Sequence, residues 1–358
     1  MKTTFSSKGK QILIFSALSI LAVYFLFQGL LYAKGFLIPL VTAFILALLM
    51  MPLARRMEKS FLNRTTSSLI NTLIILLVSI GFLALVSMQV KRVVDDWQEI
   101  KQTMQPKIEN VKLFLLEHTP LDPADLEQSD KGSSIPFMGK NSNPGQKAAT
   151  FLNRAFGFFG DYLLTFIYIF FILNYRNRFK EFILKLFPDS KRKEVKEVIV
   201  DSAKVTQKYL IGKLILIGLL AILYAVGLGI SGVENFILVS IISAVLSLVP
   251  YIGNIIGFGL AMIFGYLTTG DATVLIGIIL TFSVAQFVES YVLEPYVVGD
   301  QVDLHPFFVI LVVILGSTIW GIMGMILAIP ILAMFKIVFA HVAPLKPFAF
   351  LISKEDDD

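Results

Sequence analysis

The chain has 358 residues, of which 56% are hydrophobic and 16% charged, with a formal net charge of +5 and a mean hydropathy of +0.77. A soluble chain carries about 25% charged residues, so this composition excludes an ordinary water-soluble globule and points to an all-α polytopic membrane protein. Cysteine is absent, which excludes disulfides and thiolate metal sites. The basic residues flank apolar segments and form no surface patch for a nucleic-acid partner.

Lys2, Lys8 and Lys10 precede the apolar run Ile12–Ala33. That run is longer than the apolar region of a secretory signal, and no cleavage site leading into a soluble domain follows, so it reads as an uncleaved first membrane helix. A crossing takes about 20 apolar residues. Ser67–Met88, Phe156–Asn174, Leu210–Ile230 and Ala272–Leu293 supply that number, while Phe36–Met51 is shorter, with Gly35 and Pro39 marking a tight turn before it.

Two extracytoplasmic segments fall outside the bilayer. Val93, Trp97, Ile100, Met104, Ile108, Val111 and Leu115 recur at helical spacing, which predicts an amphipathic outer helix that packs on its own chain or between subunits of a homo-oligomer. Thr119–Lys147 is rich in Pro, Ser, Gly and Asn and reads as a mobile loop. Arg176–Lys208 is basic and amphipathic. Phe179, Phe182, Ile183, Leu186 and Phe187 form one face, and Pro188 separates two helices. Its basic side is expected beside anionic lipid headgroups or in an ordinary positive-inside loop.

The remaining apolar regions, Asn235–Leu267 and His305–Ala340, each exceed one crossing and are interrupted midway. Pro250, Tyr251, Ile252, Gly253 and Asn254 break the first, and Trp320, Gly321, Ile322, Met323 and Gly324 the second. The arms of the first hold about 15 residues each, short of a crossing, so each region is expected to be a re-entrant hairpin. Each is preceded by one full helix, a repeated pattern. Lys and Arg counts place both termini in the cytoplasm and give the two hairpins opposite orientations, an inverted repeat. Asp300, Asp303 and His305 are candidates to cap the second hairpin.

This divides the chain into scaffold helices (1–89), an outer helix and loop (90–155), a fourth span (156–175), cytoplasmic amphipathic helices (176–208), a transport region of helix plus hairpin twice (209–340) and a cytoplasmic tail (341–358). Broken helices are tolerated in lipid only when buried or lining a watery cavity, and in transporters they form the binding site. Pro250, Tyr251, Gly253, Asn254, Trp320, Gly321 and Gly324 are therefore pathway candidates, against the alternative that prolines and glycines serve packing alone. Ser283, Gln286, Glu289, Ser290 and Glu294 share one face of the following helix. Intramembrane carboxylates are expensive and face a pathway or a partner. Glu289 is either a protonatable pathway group or the partner of a structural cation such as Lys213, and Glu294 is expected at the interface. No HExxH, GxSxG or phosphate-loop motif occurs, the three histidines are dispersed, and neither catalysis nor a cofactor is expected.

Tyr209-Leu210-Ile211-Gly212-Lys213, Val249-Pro250-Tyr251-Ile252-Gly253-Asn254, Leu293-Glu294-Pro295-Tyr296-Val297-Val298-Gly299, Leu304-His305-Pro306, Trp320-Gly321-Ile322-Met323-Gly324-Met325 and Ile329-Pro330 occur in that order. Together they resemble the autoinducer-2 exporter family of bacterial inner-membrane transporters, also described as a permease family. The resemblance implies about eight hydrophobic segments and export of a small polar, sugar-like quorum-sensing signal, while other members are proposed to exchange sodium or lithium for protons. Gly316-Ser317-Thr318-Ile319 is less glycine-rich than the matching stretch of many relatives, which leaves open how closely the second hairpin's arms pack. A membrane scaffold that moves no solute is the rival from another class.

Overall fold

The computed structural model of the chain describes residues 7–60, 62–95, 102, 106, 144–249, 252–269, 271–298 and 303–354. Regular structure among them is helical throughout. The helices are α1 (Ser7–Tyr32), α2 (Lys34–Ser60), α3 (Arg64–Asp95), α4 (Pro144–Lys185), α5 (Arg192–Ile230), α6 (Phe236–Leu246), α7 (Ile252–Thr269), α8 (Ala272–Val288), α9 (Pro306–His341) and α10 (Lys346–Ile352). Among the described residues, six helical stretches are long and apolar enough to cross a membrane: Ile14–Tyr32, Lys34–Ser60, Arg64–Met88, Asp189–Ile230, Thr273–Val297 and Pro306–His341. The chain is thus a polytopic all-α membrane protein. The expected span Phe156–Asn174 lies within α4. The outer stripe beyond Asp95, apart from Gln102 and Pro106, and most of the loop Thr119–Lys147 fall outside the described residues.

Two compact units divide the chain: Met1–Thr72 with Asp161–Gln207 and Val302–Asp358, and Leu73–Gly160 with Lys208–Gln301. In the first, Phe15, Leu18, Ile20, Val23, Phe25 and Leu26 of α1 are exposed, as expected of a helix whose apolar surface meets lipid. The turn before α2 is not built by Gly35 and Pro39. It closes at Ala33, whose carbonyl accepts the N–H groups of Phe36 and Leu37 at 3.0 and 2.9 Å, and both residues lie inside α2. A membrane helix absorbs the donor that proline lacks when neighbouring helices pack against it, and Pro39 is buried.

Asn63 caps α3, its Oδ1 accepting the Thr66 N–H at 2.8 Å. The Ser67 hydroxyl then donates to the Ala54 carbonyl of α2 at 3.0 Å, and Ser67, Ser68 and Asn71 are fully buried. Small polar residues of this kind let two helix backbones approach closely in lipid. The Arg176 guanidinium of α4 grips both carboxylate oxygens of Glu58 in α2, with one arm at 2.7 Å, the fork geometry that Arg favours.

Pro188 separates two helices as expected, followed by a short 3₁₀ turn, Asp189–Lys191. The pieces on either side are not free-standing surface helices, however. α4 runs unbroken to Lys185 and α5 runs unbroken from Arg192 to Ile230, so each is the extension of a long apolar helix.

α9 contains the second break. Trp320 (φ −129°, ψ 15°) and Gly321 (φ 62°, ψ −140°) leave helical geometry and divide it into arms 306–319 and 322–341. A Cβ added at Gly316 would lie 2.4 Å from the Gly324 carbonyl oxygen, and one at Gly324 would lie 1.9 Å from that of Gly316. Eight residues of continuous helix would separate these positions by about 12 Å, so the chain has reversed and its arms touch backbone to backbone. One glycine on each arm therefore gives the close packing that the glycine-poor approach left open. The hairpin's base is held by His305, whose Nδ1 accepts the Phe307 N–H at 3.2 Å and whose own N–H donates to the Ile352 carbonyl of α10 at 2.8 Å. Asp303 pairs with Lys336. Asp300 lies outside the described residues.

In the second unit, Leu216, Leu220, Tyr224 and Leu228 of α5 are buried at a four-residue spacing, the stripe that a helix turns toward its neighbours. Tyr224 stacks on Phe282 of α8 at 4.5 Å between ring centres. Glycine then permits a close crossing: a Cβ at Gly227 would meet Thr281 Cγ2 at 2.3 Å, and one at Gly277 would meet Ser231 Cβ at 2.5 Å.

α6 and α7 form the first hairpin. Their arms are unequal, 11 and 18 residues, in place of the even pair expected. At about 1.5 Å per residue α6 reaches about 16 Å, half of a bilayer core of about 30 Å. The arms close through Gly253, whose added Cβ would sit 1.7 Å from the Leu246 carbonyl oxygen, and through the Ser243 hydroxyl, which donates to the Gly257 carbonyl at 3.3 Å.

Candidate functional site

Gly253 decides where the next residue points. With α7 pressed against the end of α6, Asn254 on its first turn is carried to α8, where its amide nitrogen donates to Gln286 Oε1 at 2.8 Å and to Glu289 Oε2 at 3.0 Å. Gln286 passes the chain on, its Nε2 donating to Ser290 Oγ at 3.1 Å. Asn254 Oδ1 is buried and has no hydrogen-bond partner among the described residues.

Glu289 is only 6% exposed. It opens a ten-residue π-helical segment, Glu289–Val298, that continues α8 and contains Pro295. In an α-helix Pro295 would clash with the Tyr291 carbonyl and leave it without a donor. Widening the turn relieves that clash, and such widened turns concentrate at functional positions. Glu289 is turned inward while Ser290 and Glu294 remain exposed. Lys213 of α5 acts electrostatically on both Glu289 and Glu294. It forms no direct ion pair with either, so among the described residues the partner that touches the Glu289 carboxylate is the neutral Asn254 amide.

Beside this network lies an open groove of about 410 Å³, lined by Asn254, Ile255, Phe258, Phe282, Ser283, Gln286, Phe287, Ser290 and Tyr291. Its walls are apolar and aromatic with a few convergent polar groups, the composition typical of a small-molecule site. The buried Glu289 lies behind the polar wall. Among the described residues no cluster of His and acidic side chains is suited to a metal ion.

Of the residues singled out from sequence, Asn254, Gln286, Glu289 and Ser290 come together here. Gly253 sits beneath them as a packing contact, and Glu294 is exposed on the same segment. Pro250 and Tyr251 lie outside the described residues. Trp320, Gly321 and Gly324 belong to the other unit, where the Trp320 indole N–H donates to the Leu30 carbonyl of α1 at 3.1 Å. Phe258, Phe287 and Tyr291 were missed as groove residues. Their signal was present, since Phe258 is four residues beyond Asn254, and Phe287 and Tyr291 follow Ser283 at helical spacing.

The family model described as "AI-2E family transporter" matches residues 13–343. The chain belongs to the AI-2E transporter family. The matched region contains both hairpins and every residue of the groove. The Bacillus subtilis (strain 168) "Putative transport protein YueF" is 27% identical over 341 residues, covering 90% of this chain and 89% of that protein. YrrI of the same organism, with the same description, is 29% identical over 162 residues, 45% of each chain. The protein MT0215 of Mycobacterium tuberculosis is 28% identical over 199 residues, 54% of this chain and 53% of that one. An AI-2E family member is thus a membrane transporter in broad class.

Proposed function

We propose that this transporter exports a small polar solute, an autoinducer-2-like signal by family resemblance, by alternating access, and that the groove beside Asn254 and Gln286 receives it. The observation that carries this reading is the network of Asn254, Gln286, Glu289 and Ser290 along an open groove of about 410 Å³. Polar groups at membrane depth are retained where they contact a pathway, and aromatic walls with convergent amides suit a small hydroxylated molecule. Family membership supports transport, and the basic residues flanking the helices support an inner-membrane location with both termini cytoplasmic. In this proposal residues 1–89 act as a scaffold, 209–340 as the moving transport region, and the outer segment as a contact in a homo-oligomer.

The test is flux from liposomes containing the full chain, with a panel of small polar metabolites that includes autoinducer-2. Export of one solute, lost in Asn254→Leu, supports the reading. No movement of any solute in the panel would leave the scaffold alternative. A second reading, sodium or lithium exchange for protons, is favoured by one feature, the buried Glu289 carboxylate within range of Lys213. It requires that Glu289→Gln abolish ion-driven pH changes in the same vesicles, a loss that a facilitator of neutral solute would not show.

A further inference from the structure

The Asn254 amide has its two hydrogens engaged and its oxygen stranded. Nδ2 donates to both Gln286 Oε1 and Glu289 Oε2, while the buried Oδ1 meets no donor among the described residues. An ionised carboxylate can only accept, so it forces Asn254 to present nitrogen at this junction. A protonated carboxyl keeps an acceptor but adds an O–H donor, and the amide nitrogen that Asn254 presents cannot receive it. Half a turn of the Asn254 amide about its last side-chain bond then brings Oδ1 to the junction, where it accepts the Glu289 O–H. That places two oxygens face to face unless Gln286 also turns. Once it does, its Nε2 donates to Asn254 Oδ1, its Oε1 faces Ser290, and the Ser290 hydroxyl changes from acceptor to donor.

We infer that Glu289, Asn254, Gln286 and Ser290 form a hydrogen-bond relay whose direction reverses when Glu289 takes a proton, changing what the Ser290 hydroxyl offers to the groove. With Glu289 ionised, Ser290 accepts from Gln286 and its hydrogen is free for a solute oxygen. With Glu289 protonated, that hydrogen is held by Gln286 and only lone pairs face the groove. The proton comes from hydronium and returns to water, and no other bond to hydrogen is broken. The groups facing Glu289 are Lys213 and Tyr224 from α5, Asn254 from α7 and Glu294 from its own segment. Lys213 and Glu294 act on the carboxylate at a distance, whereas Asn254 touches it. The relay deepens the transport reading, since it would link a proton to affinity for a hydroxylated solute, and it rests on that reading only for its use.

The experiment uses the full chain in liposomes of phosphatidylethanolamine and phosphatidylglycerol, without solute. Side-chain amides of Asn and Gln are labelled with ¹⁵N and followed by solid-state NMR across a pH titration, alongside the infrared carbonyl band of the protonated Glu289 carboxyl. Expected are Asn254 and Gln286 signals that move together with the midpoint of that band. Glu289→Gln, whose amide both donates and accepts but takes no proton, should leave both signals without a pH-dependent shift. Asn254→Leu should remove the pH dependence from Gln286. Amide signals that stay constant through protonation of Glu289, move with unrelated midpoints, or titrate in Glu289→Gln as in the wild type would overturn the relay. The wild-type titration decides even if a variant does not fold. Failure of flux with an intact titration removes the transport reading alone, whereas intact flux with silent amides removes the relay alone.

Discussion

The α6–α7 hairpin and the hairpin within α9 meet one steric demand in the same way, and then diverge in what their exposed ends do. Both reverse the chain and press backbone on backbone through glycine, Gly253 against Leu246 in the first and Gly316 against Gly324 in the second. Beyond the turn, the first hairpin sends Asn254 into a polar network with a buried carboxylate. The second directs Trp320 to a helix-terminal carbonyl, Leu30, and anchors its base through His305 and Lys336. Two segments of like pattern therefore differ in kind: one holds a buried amide oxygen with no partner among the described residues, and the other has Trp320, His305 and Lys336 held by anchoring contacts. A break in an apolar helix marks a place where backbone must be resolved, and its side chains decide whether a site results.

The comparison can be broken most directly at the shared element. Gly253→Ala and Gly324→Ala each drive a methyl into a carbonyl at under 2 Å, so both should lower stability by at least about 3 kcal/mol, the upper range for overpacking. Gly218→Ala and Gly259→Ala, with open space around them, should not. Thermal unfolding in detergent measures all four, and equal melting temperatures would show that the hairpins are not closed as described. Next in size is Gly321→Ala. Its φ of 62° with ψ of −140° suits glycine alone, and the strain predicts a loss of about 1–3 kcal/mol in the same assay.

The difference between the hairpins is sharpened by pairing Asn254→Leu with Trp320→Phe. Flux should fall about tenfold or more in the first, a loss of one strong polar contact, while the second lowers stability by about 1 kcal/mol for its lost hydrogen bond and leaves flux close to wild type. Reversal of that pattern would move the site to the second hairpin. The smallest effect is expected from Asp303→Asn. Its pair with Lys336 is half-exposed, so chemical denaturation should register a change of about 0–1 kcal/mol.

Much of the site was legible because polar residues in apolar helices are conspicuous. Asn254, Gln286, Glu289 and Ser290 could be named from their type and spacing alone, and His305 as a cap from its place beside Pro306. Lys213 was legible as a neighbour of Glu289 but not as a group held at a distance. The π-helical segment was not legible, because Pro295 in a sequence signals a helix end and not a widened turn. Nor was the first hairpin's asymmetry, since the apolar run on either side of Pro250 is nearly even while the helical arms are 11 and 18 residues.

Composition and hydropathy by themselves determined that this chain is an all-α membrane protein with two interrupted helices, because a backbone in lipid must satisfy its own hydrogen bonds and only helices do so locally. Tertiary structure alone decided that Asn254 reaches the α8 helix and its continuation, that Glu289 is buried against a neutral amide instead of an ion pair, and that Trp320 bonds to α1. Those outcomes depend on contacts between residues 32 to 290 positions apart, which no local pattern encodes; for Asn254 the contact follows from how closely Gly253 lets the α7 backbone approach α6.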